Sequence, residues 1–104
     1  MKKQILLTAV LAMFVTAGGV HAAGKSSAEL GRELFNDVKL GGSTNESSCN
    51  SCHANGKGLE NAGENRKFTK LVNTCLVERM AGEKIDGRTV SMRSIKMYIK
   101  SLRE

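Results

Sequence analysis

Large aromatic side chains are scarce in this sequence. The 104 residues include no tryptophan, one tyrosine and three phenylalanines. A small domain buries a smaller share of its surface than a large one, so it usually needs a disulfide, a metal or another stabilising group. Internal repeats, low-complexity tracts and the basic run of a nucleic-acid-binding arm are also missing. The composition therefore predicts one small domain with an added stabilising group and no nucleic-acid partner.

Residues 1–22 have the composition of a secretory signal peptide. Two lysines precede an apolar run over residues 5–15, small residues follow, and the VHA sequence at 20–22 fits a cleavage site. The run is shorter than the roughly 20 apolar residues that span a bilayer. We therefore expect cleavage near Ala22, a mature domain over residues 23–104, a periplasmic or secreted location, and no stable membrane insertion after cleavage.

Histidine is scarce as well, and this limits the possible metal sites. The two histidines are His21, in the expected signal peptide, and His53, which ends the sequence CNSCH at 49–53. A zinc site would need two further ligands at metal spacing, and a thioredoxin-like C-x-x-C would follow a strand, whereas GGSTNESS precedes this one. A disulfide between Cys49 and Cys52 would leave His53 unexplained. These three interpretations are disfavoured.

The pattern C-x-x-C-H is the attachment motif of c-type haem. In that motif both thiols form thioethers with the haem vinyl groups, and the adjacent histidine ligates the iron. We therefore predict one haem c per chain, with Cys49 and Cys52 as covalent anchors and His53 as proximal iron ligand. The expected export fits this chemistry. The macrocycle would also supply the apolar centre that the side chains lack.

Three segments predict amphipathic helices. The first begins at Ser26, in capping spacing with Glu29, and ends near Gly41, while the others span residues 66–80 and 89–104. Their apolar faces carry Leu30, Leu34, Phe35 and Val38; Phe68, Leu71, Val72, Cys75 and Leu76; and Met92, Ile95, Ile99 and Leu102.

Gly31 allows a second helix to cross the first closely, and Tyr98 is the residue expected to lie over it. The stretches GRELFNDVKLGG, SCNSCH and YIKSL together resemble class I c-type cytochromes, and this resemblance covers nearly the whole mature chain. It implies an all-α fold of three to five helices around one covalently attached haem c. It also implies that Gly31, Phe35 and Tyr98 lie where the first and last helices cross.

A narrower resemblance covers residues 72–102, VNTCLVERMAGEKIDGRTVSMRSIKMYIKSL. This stretch is similar to the C-terminal part of cytochrome domains in thiosulfate-oxidising enzymes. The resemblance implies that Cys75 is the distal haem ligand. Those enzymes usually carry a second haem domain, whereas this sequence has a single C-x-x-C-H.

The distal ligand has several candidates. Cys75 would lower the reduction potential as a thiolate, whereas Met80, in a glycine-containing loop, would raise it. Met92 lies on the apolar face of the last helix, where methionine is more often core, and Met97 lies off that face. An open site or one capped by Asn73 is the remaining alternative.

The expected function is single-electron transfer rather than catalysis, because no acid–base pair accompanies the haem motif. We expect this electron transfer to use transient contacts with redox partner proteins. Lysines such as Lys57, Lys67 or Lys70 would steer these contacts. The alternative is a haem subunit of a sulfur-compound (thiosulfate) oxidising complex, or a high-spin cytochrome that binds small ligands. A further possibility is an intermolecular disulfide at Cys75.

Overall fold

The computed structural model describes residues 24–104, which fold into helices and turns without a strand. The four α-helices of this part are α1 (Ala28–Phe35), α2 (Cys49–Cys52), α3 (Phe68–Arg79) and α4 (Val90–Ser101), and short 3₁₀ turns occur at Leu40–Gly42, Ala54–Gly56 and Ala62–Glu64. The predicted all-α fold class is confirmed. The predicted signal peptide, with its cleavage site, lies outside the described residues.

The N-cap of helix α1 lies one residue later than predicted, and the helix ends earlier. Its N-cap is Ser27, whose hydroxyl accepts a hydrogen bond from the Leu30 amide at 3.0 Å, so the assignment of the cap to Ser26 was wrong. The Ser27 amide itself donates to the Ser94 hydroxyl at 3.0 Å, which fixes this cap against α4. At the other end, the Asn36 side chain donates to the Arg32 carbonyl at 2.8 Å and closes the helix well before Gly41.

The crossing of α1 and α4 forms one half of the core. A methyl group at Gly31 would collide with the Ser94 carbonyl and would lie 2.8 Å from the Tyr98 Cβ, so the two backbones touch at this glycine. The Phe35 and Tyr98 rings pack beside it, with centroids 5.2 Å apart and planes tilted by 59°. The predicted crossing is confirmed.

Helix α4 buries one complete face. Met92, Ile95 and Ile99 are each 1% exposed, and the Thr89 hydroxyl caps the helix by accepting from the Met92 amide at 3.1 Å. Among residues 24–104, no helix combines the length and apolarity that a bilayer span requires.

Helix α3 has the predicted position but buries its apolar face incompletely. Phe68 and Leu76 are 4% and 0% exposed, whereas Leu71 is 48% exposed and Cys75 is also exposed. The chain after α3 turns back at Ala81, which has a φ of 56°, and the Met80 carbonyl accepts from the Thr44 amide at 3.3 Å. The incomplete burial marks one side of α3 as the wall of a cavity.

Candidate functional site

A cavity of about 410 Å³ opens in the interior, and all four helices contribute to its walls. Its lining is mostly apolar and includes Phe35, Leu59, Ala62, Phe68, Leu71, Val72, Ile95 and Ile99, together with Ser48 and the residues described below. Small-molecule and cofactor sites in proteins have volumes of about 300 to 1,000 Å³ and mostly apolar walls. The cavity therefore has the size and polarity of a cofactor site.

Cys49 and Cys52 occupy the two ends of α2 and line this cavity. Ser48 and Ser51 cap the short helix reciprocally, and the Ser48 amide donates to the Ser51 hydroxyl at 2.9 Å. Residues three apart on a helix share a face, so both thiols meet the same space. Burial, and to a smaller extent the neighbouring Cys75, raises the pKa of the Cys49 thiol to about 11.

His53 follows α2 directly, and its ring also lines the cavity. The Nδ1 atom lies 3.1 Å from the Lys57 carbonyl oxygen, and the His53 amide donates to the Cys49 carbonyl at 2.9 Å. A proton on Nδ1 donated to that carbonyl leaves the Nε2 lone pair available to a metal. The tight turn that presents the Lys57 carbonyl includes Asn55, with a φ of 55°.

Two of the candidate distal ligands line the same cavity, namely Cys75 and Met80. Cys75 lies on the cavity face of α3, is exposed and forms no disulfide. Met80 caps the C-terminus of α3, is 2% exposed and belongs to the hydrophobic core. The structure therefore brings Cys49, Cys52, His53, Cys75 and Met80 together, although the segments that carry them are separate in the sequence.

The other candidates for the distal ligand do not line the cavity. Met92 is 1% exposed and packs in the core, while Met97 is 43% exposed on the surface. Both polar atoms of the Asn73 side chain bind the backbone of Ile85: its oxygen accepts from the amide at 2.8 Å, and its nitrogen donates to the carbonyl at 2.9 Å. Asn73 therefore holds the loop before α4 instead of capping a ligand site.

Arg79 is a site residue that the sequence analysis did not identify. Among the described residues it is the one charged side chain that lines the cavity, and its carbonyl accepts from the Asn45 side chain at 2.7 Å. The signal in the sequence is its spacing: Arg79 lies four residues after Cys75 and therefore on the same face of α3.

A comparison with known protein families gives a match over most of the chain. A sequence model of the family described as di-haem cytochrome c peroxidase matches residues 25–99. The chain belongs to this family. It is therefore a c-type cytochrome domain, which implies covalent haem c and a role in electron transfer. No curated protein and no solved structure gives a significant match.

The residues at the cavity fit the haem c of this cytochrome family. The two thiols are unpaired and share one helix face, the imidazole has a free Nε2, and the walls are apolar. Arg79 could balance the charge of a carboxylate on the macrocycle. The described family contains two haems, whereas these 104 residues contain one C-x-x-C-H, at 49–53.

Proposed function

We propose that this cytochrome domain binds one haem c and carries single electrons outside the cytoplasm. In this proposal Cys49 and Cys52 form the thioether bonds and His53 is the proximal ligand. The observation that carries the proposal is that these three side chains line one apolar cavity of about 410 Å³. The signal-like composition of residues 1–22 supports the location.

Each surrounding group has a part in this function. Haem c, when bound, supplies a one-electron couple without further chemistry from the protein. The Lys57 carbonyl orients the His53 imidazole and increases the basicity of its other nitrogen. The buried side chains of Phe35, Ile95 and Ile99 give the cavity an apolar wall, and an apolar shell around a redox centre limits solvent access and tunes its reduction potential.

We assign the distal position to Cys75 in this proposal. Its thiol lies among the cavity-lining residues of α3 and forms no disulfide, whereas the Met80 side chain is already packed in the core at 2% exposure. A thiolate increases electron density at iron and lowers the reduction potential, so the carrier would operate at low potential.

The exposure of Cys75 also supports a second candidate function. A thiol at the cavity that solutes can reach suits a haem subunit of a thiosulfate-oxidising complex, or a high-spin cytochrome that binds a small ligand. Turnover of thiosulfate or hydrogen peroxide by the haem-loaded protein alone would favour a catalytic role. Reversible oxidation and reduction without turnover of either compound would favour the carrier.

The proposal is tested by low-temperature electron paramagnetic resonance of the oxidised, haem-loaded mature protein, with Cys75→Ala and Met80→Ala as a pair. Thiolate ligation predicts a low-spin signal of narrow g spread that Cys75→Ala converts to high spin and Met80→Ala leaves intact. A His/Met-type signal that disappears in Met80→Ala would assign Met80 instead. Haem that organic acid extracts from the wild-type protein would contradict the covalent attachment itself.

A further inference from the structure

A groove at the start of α3 is lined by basic side chains. Its four cations are Arg66, Lys67, Lys70 and Lys84, and the rest of its lining is uncharged. Within residues 24–104, none of these cations takes part in an ion pair, and no acidic side chain lines the groove. The groove therefore presents four positive charges that no ion pair within the described residues neutralises.

The fold itself builds this groove, because Lys84 comes from the loop before α4. The two hydrogen bonds between the Asn73 side chain and the Ile85 backbone hold this loop against α3. The loop also passes close to α3 at Gly87, where a Cβ atom would lie 2.9 Å from the Thr69 hydroxyl. The position of Lys84 in the same groove as Lys70 thus rests on partly buried contacts of the loop with α3.

The basic groove borders the haem cavity. Lys67 and Lys70 line the groove, while Phe68 and Leu71, which follow them directly, line the cavity. An α-helix with its side chains is about 10–12 Å wide, so a partner in the groove lies roughly one helix width from the cavity. The Lys96 ammonium adds another positive charge, 5.8 Å from the centre of the Phe68 ring.

The two cavity walls differ in charge. Residues 42–65, which contain the CNSCH motif, carry three acidic residues and one lysine, whereas residues 66–79, which contain α3, carry four basic residues and one acidic one. A negatively charged surface approaching the molecule is therefore attracted to the α3 wall and repelled by the motif wall. The charge difference between the two walls therefore directs an approaching negative surface toward α3.

We infer that the basic groove is the docking face for an acidic surface of a redox partner protein, an inference that rests on the proposed electron-carrier function. The groove offers a small oxyanion few neutral donors, because both polar atoms of the Asn73 side chain are engaged and the Thr74 hydroxyl donates to the Lys70 carbonyl at 2.9 Å. Single-stranded nucleic acid usually binds grooves that combine positive charge with aromatic stacking platforms, and no aromatic side chain lines this groove. Exposed lysines over a broad area instead suit transient contact with a carboxylate-rich protein.

The test measures electron exchange of the haem-loaded protein at gold electrodes coated with a carboxylate-terminated monolayer, which stands in for an acidic protein surface. The groove variant is Lys67→Glu/Lys70→Glu, and Lys25→Glu/Lys39→Glu is the matched control, with the same charge change at exposed sites outside the groove and the cavity. Acidic residues at the start of α3 favour the helix, so the groove variant should fold. A hydroxyl-terminated monolayer serves as the uncharged control surface. A mediated redox titration measures the midpoint potential of each variant in solution.

We expect the groove variant to exchange electrons at least about tenfold more slowly than the control variant on the carboxylate surface at low salt. Its solution midpoint potential should match that of the wild type. Equal rates in the two variants, or rates independent of salt, would overturn the docking assignment while leaving the carrier function intact. The absence of a reversible haem couple in solution would overturn the carrier function and the docking inference with it.

Docking to a phosphate-rich membrane surface would give a different experimental result. The wild type and the groove variant are sedimented with vesicles of equimolar phosphatidylcholine and phosphatidylglycerol at about 0.15 M salt, where surface charges are screened beyond about 8 Å. Sedimentation of the wild type that the groove variant loses would assign the groove to a membrane surface. That result would overturn the assignment to an acidic protein. No sedimentation, together with the tenfold rate difference at the electrode, would support it.

Discussion

Helices α3 and α4 have the same length and similar apolar content, yet they are buried very differently. Each spans 12 residues, but α4 has five buried residues, whereas α3 has three and leaves Leu71 and Val77 48% and 43% exposed. Helix α4 packs closely against α1, and its buried face belongs to the hydrophobic core, although Ile95 and Ile99 also reach the cavity wall. Helix α3 instead faces the cavity. The contrast indicates that side chains complete the core where α1 and α4 cross, whereas the exposed apolar residues of α3 would need a cofactor in the cavity to cover them.

The largest effect should come from preventing haem attachment. In Cys49→Ala/Cys52→Ala we expect a loss of more than about 5 kcal/mol of unfolding free energy, enough to unfold a domain of this size. Thermal unfolding followed by circular dichroism measures the change, and hydrogen exchange should show weaker protection in α3 than in α4. A cooperative transition that matches the haem-loaded wild type would contradict this contrast between α3 and α4, because α3 would then be stably packed without the cofactor.

The second effect tests the half of the core that the protein completes alone. Gly31→Val should cost about 3 kcal/mol in the haem-loaded protein, because the new side chain would collide with the Ser94 carbonyl and with Tyr98. Urea unfolding measures the loss. Arg32→Val is the control, since it places the same β-branched residue on the exposed side of α1 and should cost less than about 1 kcal/mol. Similar costs for both variants would contradict the close crossing.

A smaller effect should distinguish an α3 side chain that lines the cavity from one that is only exposed to solvent. Leu71 and Val77 have similar exposure, at 48% and 43%, but Leu71 lines the cavity and Val77 does not. In the haem-loaded protein, Leu71→Ala should cost about 1–2 kcal/mol, because haem in the cavity would cover that side chain, while Val77→Ala should cost less than about 0.5 kcal/mol. Urea unfolding of both variants provides the measurement. Equal costs would show that the cofactor does not cover the face of α3 containing Leu71.

The smallest effect concerns the turn before α4, where surface charges act instead of burial. Hydrogen bonds from Arg88, two from its side chain and one from its amide, hold the pKa of the Asp86 carboxyl well below its usual range. Because the folded pKa is lowered, this pair stabilises the fold above the usual Asp pKa, and its contribution disappears as the pH falls through the folded pKa.

In Arg88→Gln, a carboxyl-detected NMR titration should show the Asp86 pKa rising toward its ordinary value of about 4. The unfolding midpoint at neutral pH should change little, because both side chains are exposed. A carboxyl that titrated as low in the variant as in the wild type would show that Arg88 is not the cause of the lowered pKa.

Several elements of this molecule follow from local sequence patterns. The 3.6-residue periodicity predicts α3 and α4, the C-x-x-C-H motif indicates the haem class, and Gly31 with Tyr98 predicts the helix crossing. These predictions succeed because periodicity, motif spacing and a missing side chain act over short stretches of chain. The N-cap of α1 is a near miss: the choice between Ser26 and Ser27 depends on the hydrogen bond from Ser27 to the Ser94 side chain, which is distant in sequence.

The sequence by itself thus determined the all-α class, the haem motif and the faces of the two long helices. Tertiary structure alone decided which distal candidates reach the cavity and that Lys84 lies in the groove at the start of α3. The physical reason is that a residue type and its helical phase are local properties, whereas convergence on one cavity or groove depends on how loops bring separate helices together. Asn73 shows the difference most directly, because a side chain considered as a cap for the iron site instead holds the loop that carries Lys84.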